Sequence, residues 1–318
     1  MDTIKPPRLK KGGVIKVIAP SSYPVYPSMR LMQGIEYLRK LGYRVVIGDT
    51  IKRATRKWYY SGPIDVRAKD LNSAFKDDKV DAIFCARGGV GSLRILDLID
   101  YDIIRDNPKI FVGYSDITPI QIAIYQKTGL ITFQGWMPSR FAAKPEDLRY
   151  TEKSVEYLFR AISGGEELEL RNPADAPILQ YINKGRVDGR VIGGNMLLFT
   201  LMIGTRYDPD TTGHILFLED ISEESWRIDN YLSSIELSGK FKDVGGIIFG
   251  EFPEPEQYRY PAPSIAEIIV EHMKQYKYPI ILNFACCHGN YKLPVPIGGM
   301  IRLDADELVV TYLESMVE

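Results

Sequence analysis

The first part of the chain alternates short apolar runs with helical patterns, and this alternation constrains the fold more than any other feature. The apolar runs are residues 14–19, 44–47, 80–85 and 109–114. Segments with helical spacing separate them, such as the series of apolar residues from Met29 to Leu38. Strands separated by helices of ten or more residues form parallel sheets with right-handed crossovers. We therefore predict a parallel sheet covered by helices.

The residue composition of the sequence changes near residue 144 and again near residue 185. Charges and prolines are dense between these points, which is typical of a helical linker followed by an extended crossing. Short strand candidates with Gly and Pro turns follow, which favours an open barrel or sandwich over a second doubly wound sheet. The predicted α/β chain has a flavodoxin/Rossmann-like N-terminal domain (1–143), a linker (144–184) and a β-rich, open barrel-like C-terminal domain (185–318).

Composition excludes several classes of function. Lys and Arg number 40 against 41 Asp and Glu, a net charge of −1, so nothing suggests nucleic acid or a membrane surface as a partner. The N-terminus lacks the apolar core of a signal peptide, and we expect a cytoplasmic protein. Cys85, Cys286 and Cys287 form no disulfide framework and no CxxC pair, so we expect buried structural thiols and no metal site.

Residues 111–118, FVGYSDIT, place Ser115 where a strand runs into a helix. A nucleophile elbow needs a strand, a tight turn with small neighbours and a helix N-terminus. Gly113 lies two positions before the serine, but Ile117 occupies the place of the usual second glycine. The alternative is that Ser115 or Asp116 only caps the helix.

The turn Arg87-Gly88-Gly89-Val90-Gly91 ends another strand of the same sheet. Functional residues collect at the carboxyl ends of parallel strands. The turn could cradle a phosphate, although it is neither a P-loop nor GxGxxG, or could donate one N–H to an oxyanion hole. The N–H after Ser115 would be the second donor. A plain connector is the alternative.

A serine nucleophile needs a general base, and the chain has three histidines. His214 opens a strand candidate and His272 lies on a charged helix, whereas His288 lies in a loop at a strand end. The pair Glu219-Asp220 ends another strand and offers a carboxylate that could orient the imidazole. It could equally be an exposed strand end or a partner of Arg227.

Six blocks of the sequence, in order, resemble the LD-carboxypeptidase family of serine peptidases, which also holds the microcin C self-immunity hydrolases. These blocks are residues 87–92, 108–118, 193–195, 215–220, 226–229 and 288–298. The resemblance extends from residue 18 to residue 304 and so covers nearly the whole chain.

The resemblance implies a triad in which Ser115 is the nucleophile, Glu219 the orienting carboxylate and His288 the base. It also implies an oxyanion hole made by the N–H groups of Gly89 and Asp116. Members of the family build the site between an α/β and a β-rich domain, use no cofactor and are often homodimers. The implied substrate is a murein tetrapeptide, cut before its terminal D-alanine during peptidoglycan recycling in the cytoplasm.

Two segments depart from the family pattern. Residues 134–138 replace a His-Gly-Pro block, and residues 284–287 replace a Phe-Pro-Phe-Gly run, so substrate identity is less secure than reaction type. Arg87 or Arg227 could bind the free carboxylate of a peptide.

Two other functions stay open at this point. One is an immunity-type amidase that cleaves a peptidyl- or aminoacyl-nucleotide and stacks the base on Trp136 or Trp226. The other is a two-domain protein that binds a ligand without chemistry.

Overall fold

The computed structural model describes residues 2–24, 28–52, 58–164, 167–253 and 262–318. The chain divides into two compact units. Unit 1 comprises Met1–Gly165, Pro294–Gly298 and Ser315–Glu318, and unit 2 comprises Glu166–Leu293 and Gly299–Glu314. The segment predicted as a linker is thus shared between the units, and its residues 165 and 166 lie outside the described ranges.

Fourteen strands and nine α-helices are found in the described part of the chain. The strands are β1 (Val14–Ile18), β2 (Arg44–Ile47), β3 (Ala82–Cys85), β4 (Ile110–Gly113), β5 (Thr132–Gln134), β6 (Glu169–Leu170), β7 (Gln180–Asn183), β8 (Arg186–Asn195), β9 (Ile215–Glu219), β10 (Gly246–Gly250), β11 (Ile280–Phe284), β12 (Val295–Ile297), β13 (Met300–Asp304) and β14 (Val309–Tyr312). The helices are α1 (Ser28–Lys40), α2 (Asp49–Lys52), α3 (Ile64–Lys76), α4 (Tyr101–Asp106), α5 (Thr118–Thr128), α6 (Leu148–Ser163), α7 (Met196–Met202), α8 (Ser225–Leu237) and α9 (Ile265–Met273). Within the described ranges, none of these helices combines the length and the apolar character that crossing a bilayer requires.

Unit 1 is built on a sheet with the strand order β2-β1-β3-β4-β5, in which all neighbours are parallel. β12 pairs with β5 and runs antiparallel to it. β3 and β4 are buried along their whole length, as expected for strands covered by helices on both faces. The loops that follow β1, β3 and β4 therefore lie at one edge of the sheet, where the sequence predicted a site.

Unit 2 contains two groups of strands that share β8. The second half of β8 begins a parallel set, β8-β9-β10-β11, and β7 pairs with β11 in the antiparallel sense. The first half of β8 pairs antiparallel with β13, which in turn pairs with β14, and β14 pairs with β6. The structure confirms the mixed α/β class with a β-rich second domain.

The sequence pattern indicated a β-rich, open barrel-like second domain. The structure shows that one group of its strands forms a parallel set. Helices α7, α8 and α9 connect its successive strands, so these connections are crossovers rather than hairpins. The helix that the sequence pattern did not separate is α7, because its seven residues, MLLFTLM, carry no charge and read as a continuous apolar run. With this crossover unrecognised, the strands did not predict a second parallel sheet.

Candidate active site

Ser115 lies at the tip of a strand–turn–helix element. β4 ends at Gly113 and Tyr114 is extended. Ser115, with a φ of 64°, begins a single 3₁₀ turn that leads into α5. A positive φ is uncommon for a residue other than glycine. The helix-cap alternative is wrong, because the N-cap position of α5 is Ile117 and no side chain of the described residues caps this helix end. The local geometry is that of a nucleophile elbow.

Gly88 keeps the space in front of Ser115 open. A methyl group at Gly88 would lie 3.0 Å from Ser115 Oγ and 3.1 Å from the Asp116 nitrogen. Gly89, to which the resemblance assigns an oxyanion donor, has a φ of 115°, and a methyl group there would collide with the Ser22 side chain. Sequence reasoning did not single out Gly88, since the only available signal was a pair of glycines without any indication of which one faces the serine.

The Asp116 side chain holds the surrounding loops together. Its buried carboxylate accepts hydrogen bonds from the Ser21 hydroxyl, in the loop after β1, and from the Ser92 N–H, 3.0 Å away after β3. Burial raises the pKa of Asp116, while these hydrogen bonds act in the opposite direction. The buried Arg67 donates to backbone carbonyls of the same two loops, at 2.7 and 2.9 Å. The Ser115 turn is thus held by the loops that follow β1 and β3.

Unit 2 brings Glu219 and His288 into direct contact. Glu219 is the last residue of β9, and His288 lies in the turn after β11. His288 Nδ1–H donates to Glu219 Oε2 across 2.5 Å, and the two side chains are 2% and 0% exposed. A buried carboxylate on Nδ1 fixes the imidazole tautomer and leaves Nε2 as the nitrogen that can accept a proton. This is the arrangement that a general base requires.

The neighbouring carboxylate, Asp220, makes hydrogen bonds at the start of α7. It accepts hydrogen bonds from the Asn195 amide at 2.8 Å and from the Leu197 N–H at 3.0 Å, at the start of α7. Burial and the nearby Glu219 raise the pKa of Asp220 to about 7. Of the two carboxylates that the sequence left open, Glu219 is the one in contact with His288.

Glu251 and Lys292 lie behind the His288 turn, and sequence reasoning missed both. A methyl group at Gly289 would lie 1.9 Å from Glu251 Oε1, so the carboxyl group packs against the backbone of the turn. Lys292 Nζ donates to the Gly289 carbonyl and, at 3.2 Å, to that of Asn290. Burial raises the pKa of Glu251 to about 7; Lys292 opposes this shift and Glu219 adds to it. No local pattern marked these residues, because their contacts depend on how two distant loops pack.

The other predicted substrate contacts differ in accessibility. Trp136 is fully buried and packs edge-on against Tyr37, with ring centroids 6.4 Å apart, so it is a core residue rather than a stacking surface. Arg87 is half-buried and donates to the Tyr23 carbonyl at 3.4 Å; burial lowers its pKa.

Arg227 pairs with Glu223 at 3.6 Å, not with Glu219 or Asp220. Its guanidinium lies 5.3 Å from the ring centroid of Trp226, whose side chain is 46% exposed.

The three cysteines are buried thiols, as the sequence predicted, and none of them is in a disulfide bond. Burial raises the pKa of Cys85, Cys286 and Cys287, which keeps them in the unreactive thiol form. Among the residues with described positions, no group of three or more His, Cys, Asp or Glu side chains could hold a metal ion.

Comparison with known proteins identifies the family of the chain. The family profile of the LD-carboxypeptidase N-terminal domain matches residues 15–135, and that of the C-terminal domain matches residues 188–303. The probable murein peptide carboxypeptidase of Bacillus subtilis (strain 168) is 35% identical over 305 residues, which cover 95% of this chain and 92% of the relative. The microcin C7 self-immunity protein MccF of Escherichia coli is 32% identical over 312 residues, covering 90% and 88%.

The same relationship extends to solved structures. MccF in complex with glutamyl sulfamoyl guanosine matches with a TM-score of 0.89 and 26% identity over 99% of both chains. An MccF-like protein from Bacillus anthracis matches with a TM-score of 0.84 and 30% identity over 98% of this chain and 100% of that one. The resemblance seen in the sequence motifs is confirmed, and the chain belongs to the LD-carboxypeptidase family.

Proposed function

We propose that the protein is a serine-type LD-carboxypeptidase that releases the terminal D-alanine from murein tetrapeptides in the cytoplasm, a step of peptidoglycan recycling. The observation that carries the proposal is the buried hydrogen bond between Glu219 and His288, in a chain that also presents Ser115 at a positive φ on a strand–turn–helix element. The kinship with the murein peptide carboxypeptidase of Bacillus subtilis supports the substrate class.

In this mechanism His288 Nε2 takes the proton from Ser115 Oγ as the oxygen attacks the carbonyl carbon of the scissile amide. Glu219 stabilises the imidazolium that forms. The imidazolium then protonates the leaving amine, D-alanine departs, and an acyl-enzyme remains on Ser115. Water, activated by the same imidazole, adds to the ester and releases the tripeptide, which restores the hydroxyl.

The developing oxyanion needs preorganised N–H donors. The proposal assigns one donor to Asp116, whose nitrogen directly follows the nucleophile, and one to the glycine turn after β3. Loss of one such donor typically raises the barrier by about 3 kcal/mol. The loop contacts of the Asp116 carboxylate support the role, because they hold its backbone in place.

The test is mass spectrometry of a panel of murein tri-, tetra- and pentapeptides after incubation with the protein and with Ser115→Ala. We expect the wild type to convert the tetrapeptide to tripeptide and free D-alanine, and the variant to leave it intact. The matched control is Ser154→Ala, which removes a hydroxyl bonded within α6 and should retain activity. Undiminished D-alanine release by a folded Ser115→Ala protein would refute the assignment.

A second candidate function is an amidase that cleaves an aminoacyl- or peptidyl-nucleotide with the same residues. It is favoured by the half-exposed Trp226 with the Arg227 guanidinium over its ring, a surface suited to stacking on a base. The MccF structure with a glutamyl sulfamoyl nucleoside supports the same reading. Comparing turnover of the tetrapeptide with that of an aminoacyl sulfamoyl adenosine discriminates the two functions.

A further inference from the structure

Glu251 is a buried carboxyl group that the proposed reaction does not use. It follows β10 directly and is only 7% exposed. Among the residues that the structure describes, its Oε1 atom has no hydrogen-bond partner. A buried carboxylate with an unsatisfied oxygen destabilises a fold relative to a neutral side chain of the same shape. The presence of a carboxyl group at this position therefore needs an explanation other than packing.

The surroundings of Glu251 connect it to the Glu219–His288 pair. Its carboxyl group packs against the Cα of Gly289, the residue after His288. One position earlier, a methyl group at Gly250 would lie 2.8 Å from Glu219 Cβ and 2.7 Å from Cys286 Sγ. The end of β10 thus packs between Glu219 and the segment that precedes His288.

Among the residues that the structure describes, four ionisable groups lie close to Glu251. Lys292 lowers the pKa of Glu251, whereas Glu219 raises it. Glu251 in turn affects the pKa of Cys286, through its charge and through a hydrogen bond with the Glu251 backbone. The fourth group is His288, next to the contacting glycine. Since burial is the largest cause and raises the pKa of Glu251 to about 7, its proton is exchanged near neutral pH.

We propose that Glu251 is a positioning residue that holds the His288–Gly289 turn against Glu219 and, when ionised, favours the protonated imidazole that forms during the reaction. Negative charge beside the turn stabilises an imidazolium in the low-dielectric interior. Lys292 supports the same turn by donating to its carbonyls. The catalytic meaning of this role rests on the proposed function, in which His288 is the base.

The test is an NMR titration of the imidazole rings, which the three histidines of the chain make simple to assign. In Glu251→Gln, we expect the midpoint of the His288 titration to fall by about one pH unit, because the neighbouring negative charge is gone. The curves of His214 and His272 should not move. In Glu251→Asp, which keeps the charge, the midpoint should return most of the way to the wild-type value.

Asp304→Asn is the matched control, since Asp304 is a buried carboxylate of the same unit whose partners are Arg186 and the 306–307 N–H groups. It should leave the His288 titration unchanged. If Glu251→Gln also leaves it unchanged, or if Gln and Asp variants shift it equally, the proposal is wrong and Glu251 is only a packing residue.

Activity gives an independent readout. For tetrapeptide hydrolysis, the acidic limb of the kcat/KM profile should move to lower pH in Glu251→Gln by the same amount as the NMR midpoint. If the wild type shows no hydrolysis, the proposed function fails while the NMR result still decides the role of Glu251 beside His288. A normal pH profile in an active Glu251→Gln enzyme would overturn the proposal.

Discussion

Ser115 adopts a backbone conformation that a serine takes up only when its surroundings impose it. Its φ of 64° follows a buried, extended Tyr114, and Ile117 packs over the bare Cα of Gly113, where a methyl group would lie 2.8 Å away. Backbone strain of this kind typically costs about 1–3 kcal/mol and concentrates at functional sites. The observed φ therefore indicates a function for this serine.

This strain predicts that Ser115→Gly stabilises the protein while abolishing activity. Glycine adopts positive φ without a Cβ clash, so the free energy of unfolding should rise by about 1 kcal/mol. Ser154→Gly, in the interior of α6, should instead lower it by about 1 kcal/mol. Urea unfolding of both variants measures the difference. A destabilised Ser115→Gly protein would show that the conformation carries no strain.

Gly88 provides a second prediction at the same scale. Gly88→Ala places a methyl group 2.8 Å from Ser115 Cβ, so either the nucleophile or the loop must move. A misplacement of about 1 Å can cost about 100-fold in rate, and we expect kcat/KM to fall by about that factor. Gly135→Ala is the control, because its methyl group meets a flexible leucine side chain at 3.1 Å and should be tolerated. Steady-state kinetics compare the two, and equal activities would contradict the placement of Gly88.

At the scale of elements, the ends of β9 and β10 each bring a carboxyl group into the interior of unit 2. The pKa values of Asp220 and Glu251 are both raised to about 7, from ordinary values of 3.8 and 4.5, with burial as the main cause. The folded protein therefore keeps protons that the unfolded chain has already released between about pH 4 and pH 7. Stability from these groups is highest on the acidic side of that window and declines as pH rises through it.

We accordingly expect a higher free energy of unfolding at pH 5 than at pH 8. Glu251→Gln should remove part of this slope and stabilise the protein at pH 8, by at most about 3 kcal/mol. Asp304→Asn should leave the slope between pH 5 and 8 intact, because the pKa of Asp304 is lowered and its contribution is lost only at more acidic pH. Urea titrations at several pH values test this, and a slope that Glu251→Gln does not change would contradict the burial argument.

Element by element, the sequence predicted local structure better than connectivity. The strand–helix alternation predicted the parallel sheet of unit 1, because long crossovers leave a clear periodic signal. In unit 2 the apolar helix α7 hid one crossover, and β8 takes part in two groups of strands at once. Only the structure explains the glycine at position 193 of β8, because a Cβ there would lie 2.0 Å from the Phe217 carbonyl oxygen.

For the candidate site, strand ends and family motifs predicted the contact between Glu219 and His288. They did not predict Gly88 or Glu251, whose roles follow from how loops far apart in sequence pack together. The choice between Glu219 and Asp220 was open to residue-level reasoning, because two adjacent carboxylates at a strand end have the same local signal. The hydrogen bonds of the folded chain separate them.

At the scale of the whole molecule, the proposed machinery is divided between the two family domains. The match to the N-terminal domain, residues 15–135, contains Ser115, and the match to the C-terminal domain, residues 188–303, contains Glu219 and His288. Neither half carries a nucleophile together with its base. We therefore expect chemistry only from the complete chain, in which Ser115 Oγ would form the ester bond of the acyl-enzyme.

Labelling with a fluorophosphonate probe, followed by peptide mass mapping, tests this central claim most directly. We predict one adduct, located on Ser115, that is absent in Ser115→Ala and strongly reduced in His288→Ala, since the probe reacts with a serine only when a base activates it. Glu219→Gln should also slow labelling, while Asp304→Asn should not. An unlabelled wild-type protein, or an adduct on Ser21, Ser22 or Ser92 instead, would contradict the account.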